Sequence, residues 1–257
     1  MRSIDSTLSK VPAVTLGFWI IKIFATTLGE TGGDAVTMTL GFGYLAGTAI
    51  FAAILVVAVG AQIAAKRFHP FLYWTVIVAT TTAGTTLADF FDRSLGIGYS
   101  GGSLILLALL LATLGLWYRS QGSVAVETVA SPTVEGFYWA TIMFSQTLGT
   151  ALGDWMADTG GLGYRGGALV FAAGLGIVAV LHYRGSMPRT ALFWAAFILT
   201  RPLGATVGDF LDKPLAQGGL HLNRFAASAV LAALIIGLVL VLPQRAGRHP
   251  GEHGAAA

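Results

Sequence analysis

The feature that most constrains the fold of this chain is a motif that recurs four times with identical internal spacing. Each copy opens with an aromatic residue followed by tryptophan, has glycine ten residues after the tryptophan, and has aspartate five residues later. The tryptophans are Trp19, Trp74, Trp139 and Trp194, the glycines are Gly29, Gly84, Gly149 and Gly204, and the aspartates are Asp34, Asp89, Asp154 and Asp209. A motif repeated in this way predicts four copies of one structural unit.

The first three copies continue alike beyond the aspartate. Each has a Gly-x-Gly-Tyr segment that ends at Tyr44, Tyr99 or Tyr164. The fourth copy departs from this pattern between Gln217 and His221, with a small insertion. We therefore expect the fourth copy to be a specialised or terminal unit.

Composition places the repeats in a membrane. Apolar residues make up 55% of the 257-residue chain and charged residues only 11%, whereas soluble domains have roughly 25% charged residues. A membrane-spanning helix needs about 20 mostly apolar residues. The sequence offers eight such stretches, roughly at 14–33, 44–65, 71–91, 98–118, 136–156, 163–183, 191–211 and 222–242. We expect one transmembrane domain over residues 1–242 and a disordered cytoplasmic tail at 243–257.

Two membrane crossings per repeat give every repeat the same orientation. The predicted fold is therefore an all-α integral membrane protein, in which four tandem parallel two-helix repeats surround a pseudo-fourfold axis. The repeats cover about 18–65, 73–118, 138–183 and 193–242. Nine of the fifteen basic residues fall in the inter-repeat loops and termini. The positive-inside rule then predicts that both termini are cytoplasmic.

Each repeat carries a pair of polar positions near the end of its first helix. An acidic residue lies three or four positions from each repeated aspartate, a spacing that places both side chains on one helical face. The pairs are Glu30 with Asp34, Asp89 with Asp92, Asp154 with Asp158, and Asp209 with Asp212. If the tryptophans are interfacial anchors, an aspartate fifteen residues further on lies about 22 Å deeper. An ionised carboxylate there costs several kcal/mol unless it is paired, hydrated or bound to a cation.

Two basic residues fall well inside predicted spans. These are Lys22 and Arg201, and Arg201 belongs to a set of polar residues seven positions after each tryptophan, with Thr26, Thr81 and Gln146. We expect Lys22 and Arg201 to neutralise part of the acidic cluster or to act as gating counter-charges.

Oxygen ligands without cysteine favour hard cations such as Mn²⁺, Mg²⁺ or Ca²⁺. The chain has no cysteine and no repeated histidine. The leading hypothesis is a transporter of a hard divalent cation such as manganese, acting alone or in exchange for protons. The four repeated aspartates would be the metal ligands, and the other four acids would assist them. The partners expected are the lipid bilayer and a small cation, with no nucleic acid and no bound cofactor; the oligomeric state stays open.

The repeated W-x9-G-x4-D pattern, followed by Gly-x-Gly-Tyr, resembles the bacterial uncharacterised membrane-anchored proteins that are built from a tandem repeat of unknown function. The resemblance covers Phe18 to Leu242, and it implies an integral protein of the bacterial inner membrane. Locally, residues 30–34 (ETGGD) look like the Glu-x-Gly-Asp signature of a family of manganese and calcium cation/proton exchangers. Here there is one extra glycine, and the other three copies lack the glutamate.

Other interpretations stay open. The aspartates would be structural if they only cap helices or pair with basic residues near the ends of the spans, namely Arg93, Arg165, Lys213 and Arg224. Asp92 and Asp212 adjoin two of these basic residues, which suggests solvated pairs in a loop. The protein would then be a membrane scaffold or sensor. An intramembrane enzyme is a third class, although no catalytic motif is present.

Overall fold

A computed structural model describes residues 8–248, which contain eight α-helices and one short two-stranded sheet. In chain order the elements are β1 (Leu8–Pro12), α1 (Leu16–Asp34), α2 (Gly43–Ala64), α3 (Pro70–Asp89), α4 (Gly98–Gln121), α5 (Pro132–Asp154), α6 (Gly163–Arg184), α7 (Arg189–Asp212), α8 (Arg224–Val241) and β2 (Ala246–Arg248). Each repeat therefore contributes two helices, the first ending at or just beyond its aspartate.

Local sequence signals set the helix boundaries. The Thr15 and Ser131 hydroxyls accept hydrogen bonds from backbone N–H groups in the first turns of α1 and α5, which satisfies donors that have no partner within the helix. Proline opens α3 and α5, where its missing N–H costs nothing. In the first three repeats one π-helical turn follows the aspartate directly, at Ala35–Thr39, Phe90–Ser94 and Trp155–Thr159. Such turns are frequent at functional sites.

The first helices of the repeats form a closed inner ring. Helices α1, α3, α5 and α7 contact each other in that order, and α7 contacts α1 to close the ring. Each outer helix packs mainly against the inner helix of the following repeat: α2 against α3, α4 against α5, α6 against α7, and α8 against α1. Each repeat therefore depends on the neighbouring repeats to bury its helices, and the four repeats pack as one unit.

Apolar and polar side chains are distributed in the manner of a membrane protein. The outer helices expose large apolar side chains, as at Val57 and Leu169, whereas the inner helices bury polar ones. Six of the described helices are long and apolar enough to cross a membrane: α2, α3, α4, α6, α7 and α8. Helices α1 and α5 fall outside that set because they carry buried polar residues such as Lys22 and Gln146.

Glycines permit close contact between neighbouring inner helices. A Cβ atom added at Gly29 would overlap Thr81 of the next repeat, and one added at Gly204 would overlap Thr26 of the first. A Cβ atom at Gly149 would likewise overlap Arg201, and one at Gly84 would make tight contacts of 3.0–3.1 Å with Thr147 and Gln146. The repeated glycine is therefore a packing device, as expected for small residues in membrane helices.

The two ends of the described chain meet. Strands β1 and β2 pair antiparallel, with Leu8 opposite Arg248 and Pro12 opposite Ala246. The prediction that the chain is disordered from residue 243 is therefore wrong for 243–248, because pairing with β1 holds this segment. Residues 249–257 of the predicted tail lie outside the described residues.

Candidate site in the acidic cluster

The four repeated aspartates lie inside the inner ring. Each is at most 3% exposed. They end α1, α3 and α5, and in α7 the aspartate lies three residues before the end of the helix. Burial of four carboxylates requires compensating charge or protons.

Two basic side chains supply this charge, and each joins two repeats. Arg93 lies 3.0 Å from Asp89 in its own repeat and 3.0 Å from Asp154 in the next. Lys213 lies 3.0 Å from Asp209 in its own repeat and 2.5 Å from Asp34 in the first. All four aspartates therefore have a basic partner.

The two bridges repeat with twofold rather than fourfold periodicity. Arg93 and Lys213 each lie four residues after the aspartate of their repeat, whereas Met38 and Asp158 occupy this position in the first and third repeats. A third basic residue, Arg224 at the start of α8, lies 3.7 Å from Asp34. The i,i+4 spacing signals the pairs within one repeat, but the pairs between repeats become visible only in the fold.

The other predicted acids have different surroundings. Asp158 is exposed and accepts a hydrogen bond from the Tyr99 hydroxyl at 3.3 Å. Asp212 is buried and pairs with Arg224 at 2.9 Å. Asp92 is buried, and neither oxygen has a hydrogen-bond partner among the described residues. The interpretation of Asp92 and Asp212 as solvated pairs with Arg93 and Lys213 is therefore wrong, because the helix ends that carry both acids fold against neighbouring helices.

Arg201 connects the inner helices one turn deeper. Its guanidinium group donates to Glu30 Oε2 at 2.9 Å and to the hydroxyls of Thr85 and Thr150. Glu30, Thr85 and Thr150 each lie four residues before the aspartate of their repeat. Arg201 on α7 thus reaches α1, α3 and α5, and it forms an ion pair with Glu30, one of the predicted acids.

Lys22 forms no ion pair with the acidic cluster, in contrast to one of the two roles predicted for it. Its ammonium group is fully buried, lies 4.1 Å from the centre of the Phe197 ring and donates to the Thr200 hydroxyl at 3.4 Å. No ion pair joins Lys22 to any acid in the described part of the chain. Lys22 lies two helical turns before Glu30, too far along α1 to reach the acidic cluster.

The end of the ring that carries the tryptophans is filled by aromatic side chains. The aromatic residue before each tryptophan contacts the tryptophan of the following repeat, with ring centres 5.3 to 6.2 Å apart. These contacts are Phe18 to Trp74, Tyr73 to Trp139, Tyr138 to Trp194, and Phe193 to Trp19. Trp74, Trp139 and Trp194 are at most 5% exposed. The prediction that the tryptophans are interfacial anchors is therefore wrong for these three, which pack between repeats.

Three acids come close enough to share a cation. Glu30, Asp34 and Asp209 each place one carboxylate oxygen within 4.8 Å of the others, and all three are buried. Asp34 Oδ1 accepts no hydrogen bond within the described residues. The sequence predicted Asp34 and Asp209 as metal ligands and Glu30 as an assisting acid. It also predicted Asp89 and Asp154 as ligands, and the structure places these two around Arg93.

A cleft of about 710 Å³ opens beside the acidic cluster. Its wall includes Lys213 and Arg93, the two bridging residues, and Arg224. Tyr99, Tyr164 and Asp158 also line it. The basic groups that hold the aspartates therefore face the cleft, whereas the four repeated aspartates are not part of its wall.

Comparison with known proteins identifies the repeat but no function. No curated protein and no solved structure matches the chain. The family described as Repeat of Unknown Function (DUF347) matches it four times, over residues 17–68, 72–123, 137–186 and 192–244. These matches coincide with the four helix pairs of the fold, and the chain belongs to this family.

Proposed function

We propose that this protein is a membrane transporter for a hard divalent cation such as Mn²⁺, which binds to Glu30, Asp34 and Asp209. The observation that carries the proposal is the convergence of these three buried carboxylates, whose oxygens lie within 4.8 Å of one another. Two oxygens that contact the same cation at about 2.3–2.6 Å lie up to roughly 5 Å apart. The spacing therefore suits a cation held between α1 and α7.

The ligand chemistry favours a hard cation. All three groups are carboxylates, and oxygen ligands suit Mn²⁺, Mg²⁺ and Ca²⁺ better than the softer metals that thiolates and imidazoles select. Asp34 Oδ1 accepts no hydrogen bond from any described residue, so it is available as a ligand without loss of an existing bond.

Lys213 gives the site a means of exchange. Its ammonium group lies against Asp34 and Asp209 and also lines the cleft. We infer that Lys213 acts as a tethered competitor, which occupies the carboxylates when the cation is absent and turns into the cleft when the cation binds. Release of the cation then returns Lys213 to Asp34 and Asp209.

The proposal includes an arrangement in the membrane. All eight helices cross the bilayer as four parallel pairs around a pseudo-fourfold axis, with both termini on the cytoplasmic side. The concentration of basic residues in the inter-repeat loops supports this orientation. The cleft then opens on the opposite face, and the aromatic residues fill the cytoplasmic end of the inner ring. We assign the protein to the inner membrane of a bacterium.

One observation favours a different function. Each repeated aspartate already has a basic partner, as a purely structural role requires. A membrane scaffold or sensor would use these ion pairs only to hold the four repeats together. The two functions predict different results for a single Asp→Asn variant. A transporter would lose cation transport, whereas a scaffold would have no transport to lose and would change only in stability.

The test is Mn²⁺ uptake by liposomes that contain the purified protein, with a metal-sensitive dye inside the vesicles. We expect wild-type protein to move Mn²⁺, and D34N and D209N to lose at least tenfold in rate. E127Q is the control, because Glu127 lies in the short turn Val126–Thr128, outside both the three-carboxylate site and the cleft. Unfolding of each variant in detergent separates loss of transport from loss of structure. Wild-type protein that moves no Mn²⁺, Mg²⁺ or Ca²⁺, or a D34N variant that is stable and fully active, would exclude the proposal.

A further inference from the structure

Asp92 is a buried acid without a partner. It lies in the π-helical turn Phe90–Ser94, is 8% exposed, and has no hydrogen bond and no ion pair within the described residues. Its carboxyl group packs against Gly102 of α4, so closely that a Cβ atom there would overlap it. The neighbouring Ser103 hydroxyl is also buried and without a partner.

The charged and titratable groups near Asp92 are engaged elsewhere. Helices α2, α3 and α4 pack against its turn. On the same turn, the Arg93 guanidinium lies between two other carboxylates. From α4, the Tyr99 hydroxyl donates to Asp158. From α2, the Tyr44 hydroxyl accepts a hydrogen bond from Arg93. None of these groups forms a hydrogen bond or an ion pair with Asp92.

The fourth repeat provides the comparison. Asp212 occupies the same position relative to its aspartate, and it pairs with Arg224 at 2.9 Å. The fourth repeat therefore has two basic residues for these tasks, Lys213 for the bridge and Arg224 for Asp212. In the second repeat Arg93 makes the bridge, and Asp92 has no hydrogen-bond or ion-pair partner within the described residues.

An ionised carboxylate that is buried without partners is costly, and such a group avoids the cost by binding a proton. We propose that Asp92 binds the proton that this protein exchanges for its cation. The exchange rests on the proposed function, whereas protonation of Asp92 stands on burial, the missing partner and the contrast with Asp212.

Arg93 provides the link between cation and proton. A divalent cation held by Glu30, Asp34 and Asp209 adds positive charge to the acidic cluster, repels the Arg93 guanidinium and so weakens its contacts with Asp89 and Asp154. Arg93, released from them, is adjacent in sequence to Asp92 and can pair with its carboxylate. The O–H bond of Asp92 then breaks, and the proton passes to water in the cleft, which Arg93 lines. When the cation leaves, Arg93 returns to its bridge and Asp92 takes up a proton.

Infrared spectroscopy of the purified protein at neutral pH tests the protonation directly. We expect a carbonyl stretch of a protonated carboxyl group that is lost in D92N and retained in D212N, because the ion pair with Arg224 favours the ionised form of Asp212. The D92E variant keeps a carboxyl group and should shift the band rather than remove it. A spectrum in which D92N leaves this region unchanged would overturn the inference. D92N has the shape of the neutral acid, so its unfolding should match that of the wild type.

Proton release tests the coupling. MnCl₂ is added to weakly buffered protein with a pH-sensitive dye, and Mn²⁺ affinity is measured by calorimetry in parallel. We expect wild type and D212N to release protons on binding Mn²⁺, and D92N to bind Mn²⁺ while releasing less than half as many. Equal release from D92N would refute the coupling role. Wild-type protein that binds no Mn²⁺ would instead refute the proposed function, and the infrared result would still decide whether Asp92 is protonated.

Discussion

The ammonium group of Lys213 lies 2.5 Å from the Asp34 carboxylate, although 179 positions separate the two residues in the chain. This contact joins the end of α7 to the end of α1. Helix α8 makes the same connection at the periphery, because it packs against α1. The fourth repeat therefore closes on the first both through a charge bridge and through its outer helix.

Loss of the Lys213 bridge should destabilise the protein. In K213M, Asp34 and Asp209 stay buried but lose their shared counter-charge, and removing one partner from a buried ion pair costs about 3–5 kcal/mol. The measurement is the free energy of unfolding in detergent. R165M is the control, because Arg165 is exposed and its guanidinium stacks on Phe210 rather than pairing with an acid. The double variant K213M/D209N should recover part of the loss. A K213M protein as stable as the wild type would show that the bridge has no structural role.

The contact between Arg201 and Glu30 should show strong coupling. Either R201Q or E30Q leaves one buried charge without its counter-charge, and we expect each to lower the free energy of unfolding by about 3–5 kcal/mol. The double variant R201Q/E30Q should be more stable than the sum of the single effects predicts, because it leaves neither charge behind. Additive effects in this double-mutant cycle would show that the two side chains do not interact in the folded protein.

The sequence predicted the class of fold because the repeat and the hydrophobic stretches are local signals. Eight helices in four pairs, a polar interior and close contacts at the repeated glycine all follow from spacing and composition. The order of packing did not follow. That α2 packs mainly against α3, and α8 against α1, depends on contacts between repeats, which a pattern within one repeat does not encode.

The same distinction applies to the candidate site. Spacing identified the buried carboxylates, and Arg201 was recognisable as a charge inside a hydrophobic span. Lys213 was a candidate partner for the aspartates, but its pairing with Asp34 was not predicted, because the two residues lie at opposite ends of the chain. The tryptophans were misassigned for a related reason. An aromatic residue at the start of a span looks the same in sequence whether it faces lipid or, like Trp139, the next repeat.

Replacing a repeated glycine with alanine should lower the free energy of unfolding. In G204A the new Cβ atom would overlap Thr26, including its backbone carbon, and overpacking of this kind costs about 1–3 kcal/mol. G60A is the matched control in helix α2, where a Cβ atom meets nothing within 4 Å. Because alanine favours a helix by about 1 kcal/mol over glycine, G60A should be neutral or stabilising. The measurement is the free energy of unfolding of both variants in the same detergent. Equal values for G204A and G60A would contradict the close approach of α7 to α1.

The hydroxyl groups of Tyr73 and Tyr138 form a pair that is hidden among the aromatic residues at the end of the inner ring. They lie 2.6 Å apart, and both side chains are fully buried. In Y73F or Y138F one hydroxyl loses its partner and remains buried, which should cost about 1–3 kcal/mol. The double variant Y73F/Y138F removes both polar groups and should be closer to the wild type than either single variant. The test is the free energy of unfolding of the wild type, the two single variants and the double variant. If the loss of stability in the double variant equals the sum of the two single losses, the two hydroxyls do not share a hydrogen bond.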